Sequence, residues 1–196
     1  MSRLYPYLIA GLPELTFTTD IKGFDYGCVC RQLQEQVTGS DARLLRLLLI
    51  GLQPQRQTPY WYSTAAKSDC RFISEYFDYD RLLRNAQAVV AAKKMNVAPH
   101  DYIVGEYDPA ARPDEFNEVF DNPDMLMREE QMDKLRWQKI NEITAFNCLD
   151  MEYLMAYVTK AAIVDRWLKL DKTKGEAFFK LLVAEVRGTF DIRKTL

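Results

Sequence analysis

The stretch Glu152–Leu170, EYLMAYVTKAAIVDRWLKL, repeats its apolar residues in steps of three and four. Leu154, Tyr157, Ala161, Val164 and Leu168 form one stripe, and Ala156, Ile163, Trp167 and Leu170 widen it. A helix turns 100° per residue, so such a run presents a broad apolar face that must be covered on more than one side. Asp171-Lys172-Thr173-Lys174-Gly175 interrupts the pattern, and Phe178, Leu182 and Val186, flanked by Phe179 and Leu181, resume it before Gly188. Gly188 stands where a left-handed helix cap belongs. The expected unit is an antiparallel helical hairpin at the C-terminal end of a mainly α protein, an irregular multi-helix bundle.

Upstream, Pro123 and Asp124 suit the start of a long helix reaching about Phe146, because proline fits the first helical turn and a carboxylate favours the positive dipole end. Met125, Met132, Leu135, Ile140, Ile143 and Phe146 share one face of it. Glu129 and Arg136 intrude into that face and are read either as solvating the helix edge or as pairing with a partner. Asn147 to Asp150 reads as a cap between this helix and the next. Pro113 and Asp114 open a shorter helix, and positions 97–113 are expected to be loop.

Towards the N-terminus, Asp78 or Asp80 is the expected cap of a helix carrying Leu82, Ala86, Val89 and Val90 and stopping at Asn96. Gln53 to Ser63, with Pro54, Pro59 and Tyr60-Trp61-Tyr62, reads as a turn-rich stretch whose rings lie on the helices. Ser40 or Asp41 is the expected N-cap for the apolar Leu44–Ile50 run, and Gly23 to Gln36 suits a first helix. Tyr5 to Ala10, broken by Pro6 and ended by Gly11-Leu12-Pro13, is expected to be extended at most. The 196 residues suffice for one helical domain, with 1–97 and 113–196 as its two lobes if it divides.

Composition narrows the function. With 48% hydrophobic and 28% charged residues the chain is an ordinary globular one, and a net charge of −2 supplies no general attraction to nucleic acid. The charge is nonetheless polarised: between positions 99 and 130 ten acids face Arg112 and Arg128, whereas 151–196 holds nine Lys or Arg against six acids. Opposite-signed regions orient a protein docking into an assembly. The apolar run Leu44–Leu52 contains Arg46 and is far below the roughly 20 residues of a spanning helix, and Pro6, Gly11 and Pro13 break up any export signal. No membrane insertion is expected.

No constellation of reactive residues stands out. Cys28, Cys30, Cys70 and Cys148 lack both the paired spacing of a zinc site and the pattern of a disulfide framework, so reduced thiols in a cytoplasm are expected. His100, the single histidine, sits beside Asp101 and is the one candidate base for a small hydrolase, with no nucleophile motif to serve. Lys174-Gly175 reverses the order of a phosphate-binding loop. Asp114, Glu115 and Glu118 read as an acidic first helical turn rather than a cation site. No cofactor is expected, and the residue pattern points to a binding protein, with a free-standing helical adaptor as the plainest form.

Tyr5-Pro6-Tyr7-Leu8-Ile9-Ala10-Gly11-Leu12-Pro13-Glu14-Leu15, taken with Tyr153-Leu154, Arg166-Trp167-Leu168-Lys169-Leu170-Asp171, Gly175 and Arg187, resembles an uncharacterised bacterial family encoded in V-type ATPase operons. The resemblance implies the place of the d-type connector of the V-type ATP synthase, whose helical arches join the rotating shaft to the membrane ring. It implies the shaft and membrane-ring proteins as partners, a cytoplasmic position peripheral to the membrane, and no catalytic residues. The candidate contacts are the basic set Arg166, Lys169, Lys172 and Lys174 at the hairpin turn and the acidic pair Glu115 and Glu118.

Overall fold

The computed structural model describes residues 3–17, 23–108 and 113–170. Among them the architecture is all-helical: α1 (Pro6–Ala10), α2 (Tyr26–Gln36), α3 (Gly39–Gly51), α4 (Pro59–Ala66), α5 (Arg71–Met95), α6 (Glu115–Asp121), α7 (Met125–Ile143) and α8 (Met151–Leu168). Single 3-10 turns lie at Pro54–Arg56 and Pro99–Tyr102. The second half of the expected hairpin, 176–188, lies outside the described residues, as do Lys172 and Lys174.

α8 is the centre of the molecule and packs against α2, α3, α5 and α7. Leu154, Met155, Val158 and Ala161 are fully buried, so the helix is covered nearly all round through its first three turns, as its wide apolar face requires. Only its last turn emerges, where Leu168 and Leu170 are exposed. Asp150 caps the helix by accepting a hydrogen bond from the Tyr153 amide at 3.0 Å. Asp124 caps α7 in the same way, accepting from the amides of Leu126 and Met127. Asn96 closes α5 in the left-handed region, at φ 54°.

In the N-terminal half, four expectations need correcting. Pro6–Ala10 is a helix with Tyr5 as its N-cap, because Pro6 occupies the first position, where the missing N–H costs no hydrogen bond. α3 starts at Gly39, ahead of Ser40 and Asp41, and its N-cap Thr38 makes no side-chain cap bond. Asp41 instead accepts from the Tyr5 hydroxyl at 2.6 Å. The aromatic triplet lies on α4, whose N-cap Thr58 accepts from the Trp61 amide; Trp61 and Tyr62 are buried and Tyr60 is exposed. α5 begins seven residues before Asp78, because Phe72, Ile73, Tyr76 and Phe77 are buried and hold the helix without a side-chain cap.

Among the described residues, the buried apolar side chains fall into two clusters. The larger unites α1 to α4, the first half of α5, the end of α7 and α8. The smaller gathers Leu83, Ala86, Phe116, Val119, Phe120, Met132 and Leu135 from the second half of α5, α6 and the start of α7. α5 and α7 run through both, antiparallel to each other: Asp80 meets Arg136, and Gln87 meets Glu129. Met125 and Phe146, expected on the buried face of α7, are 70% and 96% exposed because they lie at or beyond its ends.

Candidate functional site

Where α5, α7 and α8 cross between the two clusters, charge replaces grease. Asp80, Asp133 and Arg136 are each more than nine-tenths buried. Arg136 donates from Nε to Asp80 Oδ1 at 2.7 Å and from Nη1 to Asp133 Oδ1 at 2.9 Å. Arg84 donates from Nε to the other Asp80 oxygen, also at 2.7 Å. The second Asp133 oxygen takes two donors from α8, the Arg166 guanidinium and the Trp167 indole N–H, the latter at 2.8 Å. Arg166 also reaches Glu129 at 3.3 Å, and Gln87 donates to Glu129 at 3.1 Å.

The charges balance: Asp80, Asp133 and Glu129 against Arg84, Arg136 and Arg166. Desolvation alone would raise the Asp80 carboxyl, but the guanidiniums of Arg136 and Arg84 outweigh it and hold the group below the usual carboxylate range. For Arg136, burial pulls down and the carboxylates of Asp80 and Asp133 push up, with the net shift upward. Asp80, locked in its ionised form by two cations, is a poor proton acceptor, so the arrangement suits fastening better than acid–base chemistry. A cleft of about 190 Å³ opens onto the fastened groups and is lined by Gln57, Gln87 and Thr159 as well.

A second constellation brings remote stretches of the chain together. The Tyr5 amide donates to the Leu149 carbonyl at 2.7 Å, Leu4 bridges Asp150, and the Tyr157 hydroxyl donates to the Pro13 carbonyl at 2.8 Å. Burial pushes the Tyr157 phenol up to about 12. Ile9, Leu12, Pro13, Leu15, Tyr157 and Lys160 help to surround a cavity of about 380 Å³. Lys160 is half-buried, its ammonium over the Trp137 ring at 5.2 Å, and burial lowers its pKa. Trp137 in turn meets Phe17 edge-on at 5.6 Å.

The expected contact residues separate on this framework. Arg166 is not a free cation at a turn, since its guanidinium is engaged with both Asp133 and Glu129. Lys169 is exposed and pairs with Asp165 one turn back. Glu115 and Glu118 lie in the first turn of α6, and Glu115 accepts from the Tyr79 hydroxyl at 2.8 Å. His100 and Asp101 pair with each other at 2.8 Å on the surface, 77% and 69% exposed. Among the described residues, no group of three or more His, Cys, Asp or Glu is placed to hold a metal ion.

The fastening residues are partly legible in the sequence. Glu129, Asp133 and Arg136 follow a four-then-three spacing, a polar line running down the apolar face of α7. Glu129 and Arg136 stand out as intruders in that face, whereas Asp133 between them does not. Asp80 looks like a helix cap in the sequence because the turn before it carries aromatic residues of modest helix propensity.

Residues 111–189 match the model of a family described as a protein of unknown function, DUF2764. The matched block takes in α6, α7 and α8 and continues beyond Leu170. No curated protein and no solved structure matches the chain. No helix among the described residues is long and apolar enough to cross a membrane.

Proposed function

We propose that this chain is a non-catalytic component of a V-type ATPase or ATP synthase, a helical connector coupling the central rotor shaft to the membrane ion-translocating ring. The observation that carries the reading is that the two stretches behind the resemblance, remote in sequence, together fix α8 at both of its ends. Residues 4–15 hold its first turns through Asp150 and Tyr157, and its own Arg166 and Trp167 tie its last turn to Asp133 on α7. A part that transmits torque must resist sliding between neighbouring helices. Buried, directional ion pairs resist it better than apolar contacts, which tolerate small shifts in register.

On this reading the work is mechanical and takes place on the cytoplasmic face, with the chain held there by protein contacts. Lys169 belongs to one charged contact surface, with Lys172 and Lys174, which lie outside the described residues, following it in sequence, and Glu115 and Glu118 belong to the other. Affinity purification of the tagged full chain from its own cells tests the reading. Recovery of the catalytic and shaft proteins of the ATPase is the expected result, with the yield reduced by Lys169→Glu. Recovery of an unrelated protein instead favours a free-standing adaptor, and a chain that emerges alone defeats both. His100→Ala is expected to leave assembly and ATP-driven transport unchanged; loss of a measurable turnover in that variant would favour the hydrolase alternative.

A further inference from the structure

The cavity of about 380 Å³ between residues 9–15 and α8 holds an ammonium that no carboxylate neutralises among the described residues. Lys160 lines it, half-buried, with the face of Trp137 at 5.2 Å. Burial lowers its pKa, and no neighbouring carboxylate acts to raise it. The volume lies within the range of about 300–1,000 Å³ usual for small-molecule sites.

Counting the donors on the wall narrows what the cavity can accept. The Tyr157 hydroxyl is committed to the Pro13 carbonyl, and the Thr144 hydroxyl to the Ile140 carbonyl. The Tyr153 hydroxyl, near enough to Tyr157 to raise its pKa, makes no hydrogen bond to a described residue. Lys160 and Tyr153 are therefore the uncommitted side-chain donors, and Ile9, Leu12 and Leu15 supply an apolar wall.

The geometry points to a binding site for a small monocarboxylic acid with an aliphatic or aromatic body. Its carboxylate is held by Lys160 and Tyr153, and its body lies against Ile9, Leu12 and Leu15. Three features select that class. A carboxylate brought to Lys160 supplies the charge-assisted hydrogen bond that the ammonium lacks. Phosphate is better matched by the fork of an arginine, and no arginine among the described residues lines this cavity. Glu14, exposed and in no ion pair among the described residues, lines the same cavity and repels a second acidic group, so a monoacid is favoured over a diacid. A bound acid bridges residues 9–15 and α8 beside the hydrogen bond from Tyr157 to Pro13. The site does not depend on the ATPase reading.

Protection of Lys160 in the full chain tests it. Reductive methylation with formaldehyde and cyanoborohydride labels accessible amines, and peptide mapping by mass spectrometry reads each lysine separately. Butyrate, isovalerate and phenylacetate are the probes. At least one is expected to slow methylation of Lys160 several-fold and saturably, with the exposed Lys67 and Lys93 unaffected. Phenylacetamide, glutarate and inorganic phosphate are expected to protect far less. The protecting acid is also expected to raise the melting temperature of the unaltered chain and not that of Lys160→Met, whose helical content is checked by circular dichroism. A Lys160 that resists methylation with and without acid, or one that none of the three acids protects, overturns the inference. Protection by phenylacetamide, glutarate or phosphate equal to that by the acids overturns it as well, as does an equal rise in melting temperature in the folded Lys160→Met variant.

Discussion

Arg136 is the residue whose loss the fold should tolerate least. Its guanidinium neutralises two buried carboxylates, so Arg136→Ala leaves Asp80 with Arg84 alone and strips one of the partners of Asp133. Breaking a buried pair from one side costs roughly 3–5 kcal/mol, and urea denaturation is expected to show a loss of that size. Asp80 adds a pH signature. Its folded pKa lies below its unfolded value, so its contribution is present above the unfolded value, about 4, and drains away as acid carries the pH down through the folded one. The urea midpoint should fall with acid below about pH 5, and less steeply in Asp80→Asn. Gly51 is a steric counterpart. A Cβ there would stand 2.1 Å from Trp61 Cζ2 and 2.6 Å from Phe77 Cζ. Gly51→Ala should destabilise by about 1–3 kcal/mol through overpacking, with a shift in tryptophan emission as Trp61 is displaced.

At the scale of elements, helix ends give the cleanest expectations. Asp150→Ala removes the cap of α8, and Asp124→Ala that of α7; each should cost about 1 kcal/mol in chemical denaturation. Those two ends, and the left-handed Asn96, are legible in the sequence because their signals are local. A short polar side chain reaching its own backbone needs no knowledge of the rest of the fold. The start of α5 is illegible for the opposite reason: Cys70 makes no side-chain cap bond, and the helix persists because Phe72, Ile73 and Phe77 are buried by α4 and its neighbours. The short α1 hides behind its proline in the same way, and the contacts of Tyr5 and Leu4, just ahead of it, with Leu149 and Asp150 far along the chain hold it in place. The ionic fastening stands between these cases. Its polar line on α7 is visible, but the partners on α5 and α8 become partners only through tertiary structure.

For the molecule as a whole, the two apolar clusters share α5 and α7, so neither can open without disturbing helices that the other needs. Unfolding is expected to be one cooperative transition: tryptophan emission, which reports Trp61, Trp137 and Trp167 in or against the larger cluster, should superimpose on the helical signal of the entire chain. A separate early loss of helix would show the α6 region melting by itself. The closure made by Tyr157 and Pro13, 144 residues apart, reaches back to how the chain is born. At about 5–20 residues per second, a ribosome that has just made Pro13 needs roughly 7–29 s more to supply Tyr157. Throughout that interval Leu8, Ile9 and Leu12 emerge without the surface meant to receive them. A nascent chain stalled in this window is where a chaperone would find its grip.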